Sequence, residues 1–294
     1  MANGPLVEHA PAKVNLSLQV LGRRSDGYHE LESLVAFAAL GDRLALAPGP
    51  ELELSASGPT AHAAGPAADN LVLKAARLLA QRVENLTLGR FSLSKELPVA
   101  AGIGGGSSDA AAALRLLARV NGLSTSDSRI IEAARETGAD VPVCLDPRPR
   151  LMRGTGEVLS APLNLPALPA VLVNPGVALP TRDVFAALAL PIQERSLETD
   201  ESSLERDLQQ LPAIEAIAAL LRRYRNDLEA PAAKLQPVVG DVLQRLRSSP
   251  GCLLARMSGS GATCFALYET KQAASAAHLA IAAAEPRWWV RATT

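Results

Sequence analysis

The sequence predicts an α+β protein of two domains, and three observations carry that prediction. The chain has 294 residues, enough for two ordinary domains, with 48% hydrophobic and 20% charged residues, the composition of a globular protein with a full core. Segments of period two and of period 3.6 both occur, without the regular βαβα alternation of a doubly wound sheet. A turn-rich stretch, DPRPRLMRGTGE at 146–157, sets a boundary near residue 150 and hence domains 1–150 and 151–294.

The elements follow in order. Residues 12–20, AKVNLSLQV, alternate strictly: Ala12, Val14, Leu16, Leu18 and Val20 on one face, Lys13, Asn15, Ser17 and Gln19 on the other. That period predicts a half-buried strand. The glycines and charges of GRRSDGYHEL, 22–31, predict a turn, and 34–57 read as further strands. After the connection PTAHAAGPAADN, Asp69 or Asn70 is placed to cap a helix over 71–83, where Leu71, Ala75, Leu78, Leu79 and Val83 recur at helical spacing. RFSLSKEL, 90–97, is a short strand. A helix over 107–120 buries Ala110, Ala113, Leu114, Leu117 and Val120, and another, 129–137, ends at Gly138 as a left-handed stop. Beyond the boundary come the strand AVLVNP, the polar stretch PIQERSLETDESSLERD, two helical segments, the strand–loop–strand LLARMSGSGATCFALY and an alanine-rich helix, 272–284.

Charge and cysteines exclude several classes. With 29 basic and 30 acidic residues the net charge is −1, so no basic field is present to hold a nucleic acid. Cys144, Cys252 and Cys264 are far apart and none lies in a C-x-x-C pair, which predicts buried free thiols in a reducing compartment. No metal-ligand spacing of His, Cys and Asp occurs, so no fixed metal site is expected. The N-terminus lacks a basic region followed by an apolar stretch, and no run of ~18 apolar residues occurs. The expectation is a cytoplasmic protein with no membrane contact.

The stretch LPVAAGIGGGSSDAAAAL, 97–114, carries the chemistry. Gly102, Gly104, Gly105 and Gly106 can take positive φ and admit a ligand close to the main chain. Backbone N–H groups beside a helix start, with its orphan donors and dipole, favour an anion, and a polyphosphate has the matching shape. Ser107 and Ser108 read as caps and phosphate donors, and Asp109 as a first-turn charge that suits the dipole. The P-loop pattern needs a lysine after the last glycine, and none follows Gly106. A dinucleotide fingerprint belongs after a first strand, and H-R-D and D-F-G are absent. Taken alone, Asp140 in TGADVP reads as a turn or helix cap, Lys13 as a solvated strand lysine, and Tyr28 and His29 as a core-edge aromatic and a surface histidine.

Three segments in order, PAKVNLSL, PVAAGIGGGSS and MSGSGATCF, resemble the motifs of the GHMP small-molecule kinases, which act on galactose, homoserine, mevalonate and phosphomevalonate. With RSDGYHEL, GADVP and NPGVALPT…VF, the likeness runs from residue 10 to about 268. Within the superfamily it looks most like the branch that phosphorylates a cytidine-diphosphate-linked methylerythritol on the non-mevalonate route to isoprenoid precursors. Ala100 and Ala101 depart from it, standing where many relatives carry glycine, and 187–212 match nothing.

The resemblance implies a ribosomal-protein-S5-domain-2-like N-terminal half with an unusual left-handed crossover, an α/β-sandwich C-terminal half and an active site in the cleft. It implies transfer of the γ-phosphoryl group of ATP to the tertiary 2-hydroxyl of the acceptor, with Mg2+ carried by the nucleotide. ATP would lie on Pro98, Val99, Ala100, Ala101, Gly102, Ile103, Gly104, Gly105, Gly106, Ser107 and Ser108. Asp140 would take or orient the hydroxyl proton, and Lys13 would steady negative charge in the transition state. Asn15, two residues on and about 7 Å along the same strand face, would hold the acceptor alcohol. Tyr28 and Phe185 would sandwich cytosine, with His29 on its edge, and the 258–263 loop would brace the phosphate loop. The partners implied are small molecules, with no obligate protein partner. The rival readings are a kinase of homoserine or mevalonate and a nucleotide sensor without chemistry. The cytidine-pocket residues weigh against the first, and the joint presence of Lys13 and Asp140 against the second.

Overall fold

The computed structural model describes residues 5–188, 203–208 and 213–294. In chain order its elements are β1 (Leu6–Asn15), β2 (Gln19–Arg23), β3 (His29–Gly49), β4 (Leu52–Ser57), α1 (Leu71–Ala80), β5 (Leu88–Ser94), α2 (Gly105–Val120), α3 (Ser128–Thr137) and α4 (Val141–Leu145). There follow β6 (Arg150–Gly154), β7 (Val158–Leu159), β8 (Ala170–Asn174), α5 (Thr181–Ala187), α6 (Ser203–Leu208), α7 (Ile214–Leu221) and α8 (Glu229–Leu235). The last are α9 (Val238–Arg247), β9 (Cys252–Met257), β10 (Cys264–Tyr268), α10 (Lys271–Ala284) and β11 (Trp289–Thr293). The class is α+β. Most of the polar stretch at 191–207 lies outside the described residues, as do the unmatched positions 189–202 and 209–212.

The chain divides into two compact units: Met1–Lys13, Leu40–Val99 and Gly104–Pro147 form one, and Val14–Ala39, Ala100–Ile103 and Arg148–Thr294 the other. In the first, β4 runs parallel to β5, and β5 is antiparallel to the second half of β3, with Leu46 opposite Phe91. Helices α1 to α4 pack on one another, and the stripe of α2 from Ala110 to Ala118 is buried almost without interruption. Small alanines let the neighbouring helices approach closely. Asn70, not Asp69, caps α1, its side chain accepting from the Val72 N–H at 3.0 Å.

In the second unit the first half of β3 is antiparallel to β2 and β6, and the β2–β3 hairpin turns at Gly27, whose φ is +90°. A four-stranded antiparallel sheet, in the order β11-β8-β10-β9, forms its other layer. Val171, Val173, Tyr268 and Met257 of that sheet share a core with Val242 and Leu246 of α9 and Ile281 of α10.

Three local expectations need correction. The first strand starts at Leu6 and ends at Asn15, and the polar side is not solvated: Lys13 and Asn15 at its end, and Ser17 just beyond it, are as buried as Val14 and Leu16. Folded neighbours cover that face and supply partners, which period alone does not reveal. Gly138 is extended, with φ 174°, and not left-handed. Cys144 and Cys264 are buried free thiols as expected, whereas Cys252 is half-buried. Among the described residues no helix is long and apolar enough to cross a membrane.

Candidate active site

Lys13 and Asp140, 127 residues apart in sequence, form an ion pair of 2.8 Å between Nζ and Oδ2. The Lys13 side chain is 4% exposed and that of Asp140 35%, so the ammonium is enclosed while the carboxylate keeps an open face. Asp140 sits at the N-cap position of α4 yet makes no capping bond. The capping reading therefore fails, and the side chain is committed to the lysine. Arg115 on α2 sets this meeting: it donates to Glu8 (3.0 Å) and to the His9 carbonyl (2.8 Å) of β1, and to the Cys144 carbonyl (2.8 Å) of α4. One guanidinium fork thus ties the strand that bears Lys13 to the helix that follows Asp140.

The loop from Pro98 to Gly104 precedes α2. Val99 and Ala100 are exposed, and Ala101 and Ile103 are buried. The helix begins at Gly105, two residues earlier than expected, and its N-cap is Gly104 in the left-handed region (φ 60°, ψ 21°) with no side-chain cap. Ser107 and Ser108 are therefore not caps but lie inside the first turns, and the first N–H groups of the helix are left for a ligand. Positive φ falls at Gly102 and Gly104, not at Gly105 or Gly106. A Cβ on Gly104 would lie 3.1 Å from both Cβ and Cε of Lys13, so glycine lets the lysine stem lie against the loop. Ala100 has φ +51°.

Asp109 lies in the early turns of α2, buried, and accepts from Lys95 Nζ at 2.8 Å. Burial pushes its carboxyl up to about 7, opposed by the Lys95 charge and assisted by Asp42. Burial alone would lower the Lys95 ammonium, but the Asp109 and Asp42 carboxylates outweigh it and the group is raised. The Ser108 hydroxyl and Asp109 Oδ1 are buried without a partner.

In the second unit, Ser258 Oγ donates to the Gly102 carbonyl (2.9 Å) and accepts from the Asn15 N–H (3.1 Å), and the Thr263 N–H donates to the Ala101 carbonyl (3.1 Å). Asn226 holds the 258–263 loop in turn, its Nδ2 donating to the Met257 and Gly259 carbonyls, both at 2.8 Å. Asn15 Nδ2 donates to Ser33 Oγ (2.6 Å), whose own proton goes to the Ser17 carbonyl (2.6 Å). That single proton decides the amide orientation: Ser33 must accept from Asn15, which leaves Asn15 Oδ1 buried and unpartnered. The rings of His29 and Phe185 meet at 4.7 Å between centroids, tilted by 30°. Tyr28 is 64% exposed. Burial, and then the charge of Arg23, lower the His29 pKa, which favours the neutral imidazole with one donor and one acceptor.

Residues 70–146 match the family described as GHMP kinases N terminal domain, and 204–286 match GHMP kinases C terminal. A 4-diphosphocytidyl-2-C-methyl-D-erythritol kinase of Methylorubrum extorquens is 58% identical over 293 residues, covering 98% of both chains. Another, of Rhodopseudomonas palustris, is 58% identical over 290 residues, 98% of this chain and 94% of its own. The chain belongs to the GHMP kinases. It is a small-molecule kinase of their 4-diphosphocytidyl-2-C-methyl-D-erythritol kinase family. A crystal structure of 4-(cytidine 5'-diphospho)-2C-methyl-D-erythritol kinase superposes with TM-score 0.73 at 37% identity, over 98% of this chain and 99% of that one. Homoserine kinase from Cytophaga hutchinsonii shares the fold, with TM-score 0.71 at 21% identity over 100% and 96%.

Sequence reasoning about the kinase missed Arg115, Ser33, Lys95 and Asp42. Each acts through a partner far away in sequence. One signal was available: Lys95 directly follows the alternating strand β5, just before the loop, a position where an isolated buried charge needs a counter-ion.

Proposed function

We propose that the kinase transfers the γ-phosphoryl group of ATP to the 2-hydroxyl of 4-diphosphocytidyl-2-C-methyl-D-erythritol. The observation that carries this reading is the enclosed Lys13–Asp140 pair, set against the left-handed Gly104 where a helix start opens toward an anion. Asp140 receives or aligns the proton of the attacking hydroxyl through its open face. The new P–O bond forms as the bond to the ADP oxygen breaks, with ADP as leaving group. Lys13 and the N–H groups of Gly105 and Gly106 oppose the charge spread over the phosphoryl oxygens. Asn15, whose amide oxygen is left over by Ser33, accepts from the acceptor alcohol. Phe185 and Tyr28 offer faces to cytosine, and neutral His29 a hydrogen bond to its edge.

Magnesium, general for ATP-dependent transfer, fits as an ion held mainly by phosphate oxygens and water. The buried, unpartnered Ser108 hydroxyl is a hard oxygen suited to it or to a phosphate. An ion held with the nucleotide would neutralise charge on its phosphates. The two proposed domains are 1–150, for ATP, and 151–294. Both substrates are charged, water-soluble metabolites, which suits the cytoplasm and requires no protein partner. ATP consumption measured with the cytidine acceptor, with homoserine, with mevalonate and with no acceptor tests the reading. Turnover with the cytidine compound alone is expected, turnover with another alcohol reassigns the acceptor, and none with any leaves a nucleotide-binding protein.

A further inference from the structure

Beneath the phosphate loop lies a second ionic group that the chemistry above does not use. Lys95 Nζ donates to Asp42 Oδ2 and, at 2.8 Å, to Asp109 Oδ2, and all three side chains are buried. Asp42 accepts with its other oxygen from the N–H groups of Glu96 (2.6 Å) and Leu97 (2.9 Å). Thr60 adds a bond to the Leu97 carbonyl at 2.8 Å. The cluster therefore joins β3, the residues where β5 passes into the loop, and the early turns of α2. A Cβ on Gly105 would lie 3.5 Å from Lys95 Nζ and 3.6 Å from the Leu97 side chain, so the ammonium sits directly under the first helical residue.

Apolar side chains of the same volume would fill this space at less desolvation cost, so stability alone does not explain three buried ionisable groups. The loop supplies a reason. Ala100 has a positive φ, beside Gly102 and Gly104, and such a conformation at a non-glycine residue persists only where the surroundings over-determine it. Apolar contacts slide, whereas charge-assisted hydrogen bonds set distance and direction.

We propose that Lys95, Asp42 and Asp109 form a positioning unit for nucleotide binding, holding Leu97 and Gly105 at the two ends of the loop so that the N–H groups of Gly105 and Gly106 aim at the polyphosphate. The inference rests on the reading of this loop as the ATP site. The unit touches no substrate and acts through the loop backbone.

The test removes the charges together. Lys95→Met, Asp42→Asn and Asp109→Leu, combined, keep the volume and leave an amide oxygen at position 42 for the Glu96 and Leu97 N–H groups. Replacement of whole buried ionic groups by apolar ones is commonly neutral or stabilising, so the thermal midpoint should hold. The expected result is an ATP KM raised by at least about tenfold, with kcat at saturating ATP and the acceptor KM changed by less than about threefold. An intact midpoint with an ATP KM within about twofold of wild type would overturn the proposal and leave the cluster a structural one. Should the triple variant not fold, calorimetry of an ATP analogue on Asp109→Asn decides: weakening by about fivefold or more supports the proposal, and unchanged affinity sinks it. Gly104→Val separates this from failure of the ATP-site reading. If that variant abolishes nucleotide binding and the triple variant does not, the positioning role alone is wrong; if neither affects it, the site is wrong.

Discussion

Replacing Asp140 with asparagine removes one charge and almost no volume. The structure bounds what that change can do to stability. Asp140 makes no capping bond to α4, so the typical loss of ~1 kcal/mol for an N-cap does not apply. What remains is the 2.8 Å pair with Lys13. Removing one partner of a fully buried pair costs about 3–5 kcal/mol, whereas exposed pairs contribute about 0–1. With the carboxylate 35% exposed and the ammonium 4%, an intermediate loss of about 1–2 kcal/mol is expected. A protein of ordinary stability, about 5–15 kcal/mol, stays about 99% folded after such a loss, so unfolding cannot account for lost activity. Loss of a positioned proton acceptor, by contrast, costs about 10²–10⁴ in kcat, or roughly 2.7–5.5 kcal/mol of transition-state stabilisation. The assay is ATP turnover with both substrates saturating, beside calorimetric binding of ATP and a thermal melt. Near-normal nucleotide affinity, a midpoint lowered by a few degrees and a kcat down by at least about a hundredfold are expected. A variant that keeps more than about a tenth of wild-type kcat would refute the assignment, leaving the pair a structural contact.

Gly104→Val sets a β-branched residue at φ 60° with its Cβ 3.1 Å from the Lys13 stem, and should abolish ATP binding measured by calorimetry while α2 remains folded by circular dichroism. Gly105→Val is the weaker test, because Gly105 is helical and its nearest neighbours stand at 3.5 Å. Phe185→Ala removes the ring that meets His29 at 4.7 Å, and acceptor KM should rise by about 1–3 kcal/mol, roughly 5- to 150-fold, for cytidine and uridine analogues alike, with ATP KM unmoved. His29→Ala should instead narrow the gap between the two analogues; an unchanged preference would remove His29 from the base edge. The Asp109 carboxyl, raised from 3.8 to about 7 in the fold, binds its proton more tightly there than in the unfolded chain. Its contribution is complete below about pH 3.8 and is lost as pH rises through about 7. The thermal midpoint of wild type relative to Asp109→Asn should therefore fall between about pH 4 and pH 7, and a constant difference would contradict the raised value.

Much of the architecture was legible because its causes are local. Asn70 caps α1 through a bond to a residue two positions away, and β8 reads as a strand because its run of apolar residues is short and bounded by turns. The glycine loop was legible for the same reason, since a left-handed N-cap admits few residues but glycine. Positions further along the run were not distinguishable: which glycines take positive φ depends on where α2 starts, and that follows from its packing. The edge strand β11 went unnoticed because its pairing exists only beside β8, more than a hundred residues earlier.

Taken alone, then, the sequence determined the α+β class and the phosphate loop, because composition, period and backbone freedom are properties of neighbouring residues, whereas Lys13, Asn15 and Asp140 became candidates through the resemblance to the GHMP kinases. Only the tertiary structure decided which partners those candidates meet. Whether Asp140 caps a helix or pairs with a lysine depends on Arg115 holding β1 and α4 together. Whether Asn15 offers an oxygen or an amide depends on the single proton of Ser33. Whether Asp109 faces water or a buried ammonium depends on Lys95 and Asp42 meeting under the loop. In each case the energy comes from desolvated polar groups that must find partners, and those partners are chosen by the fold rather than by spacing along the chain.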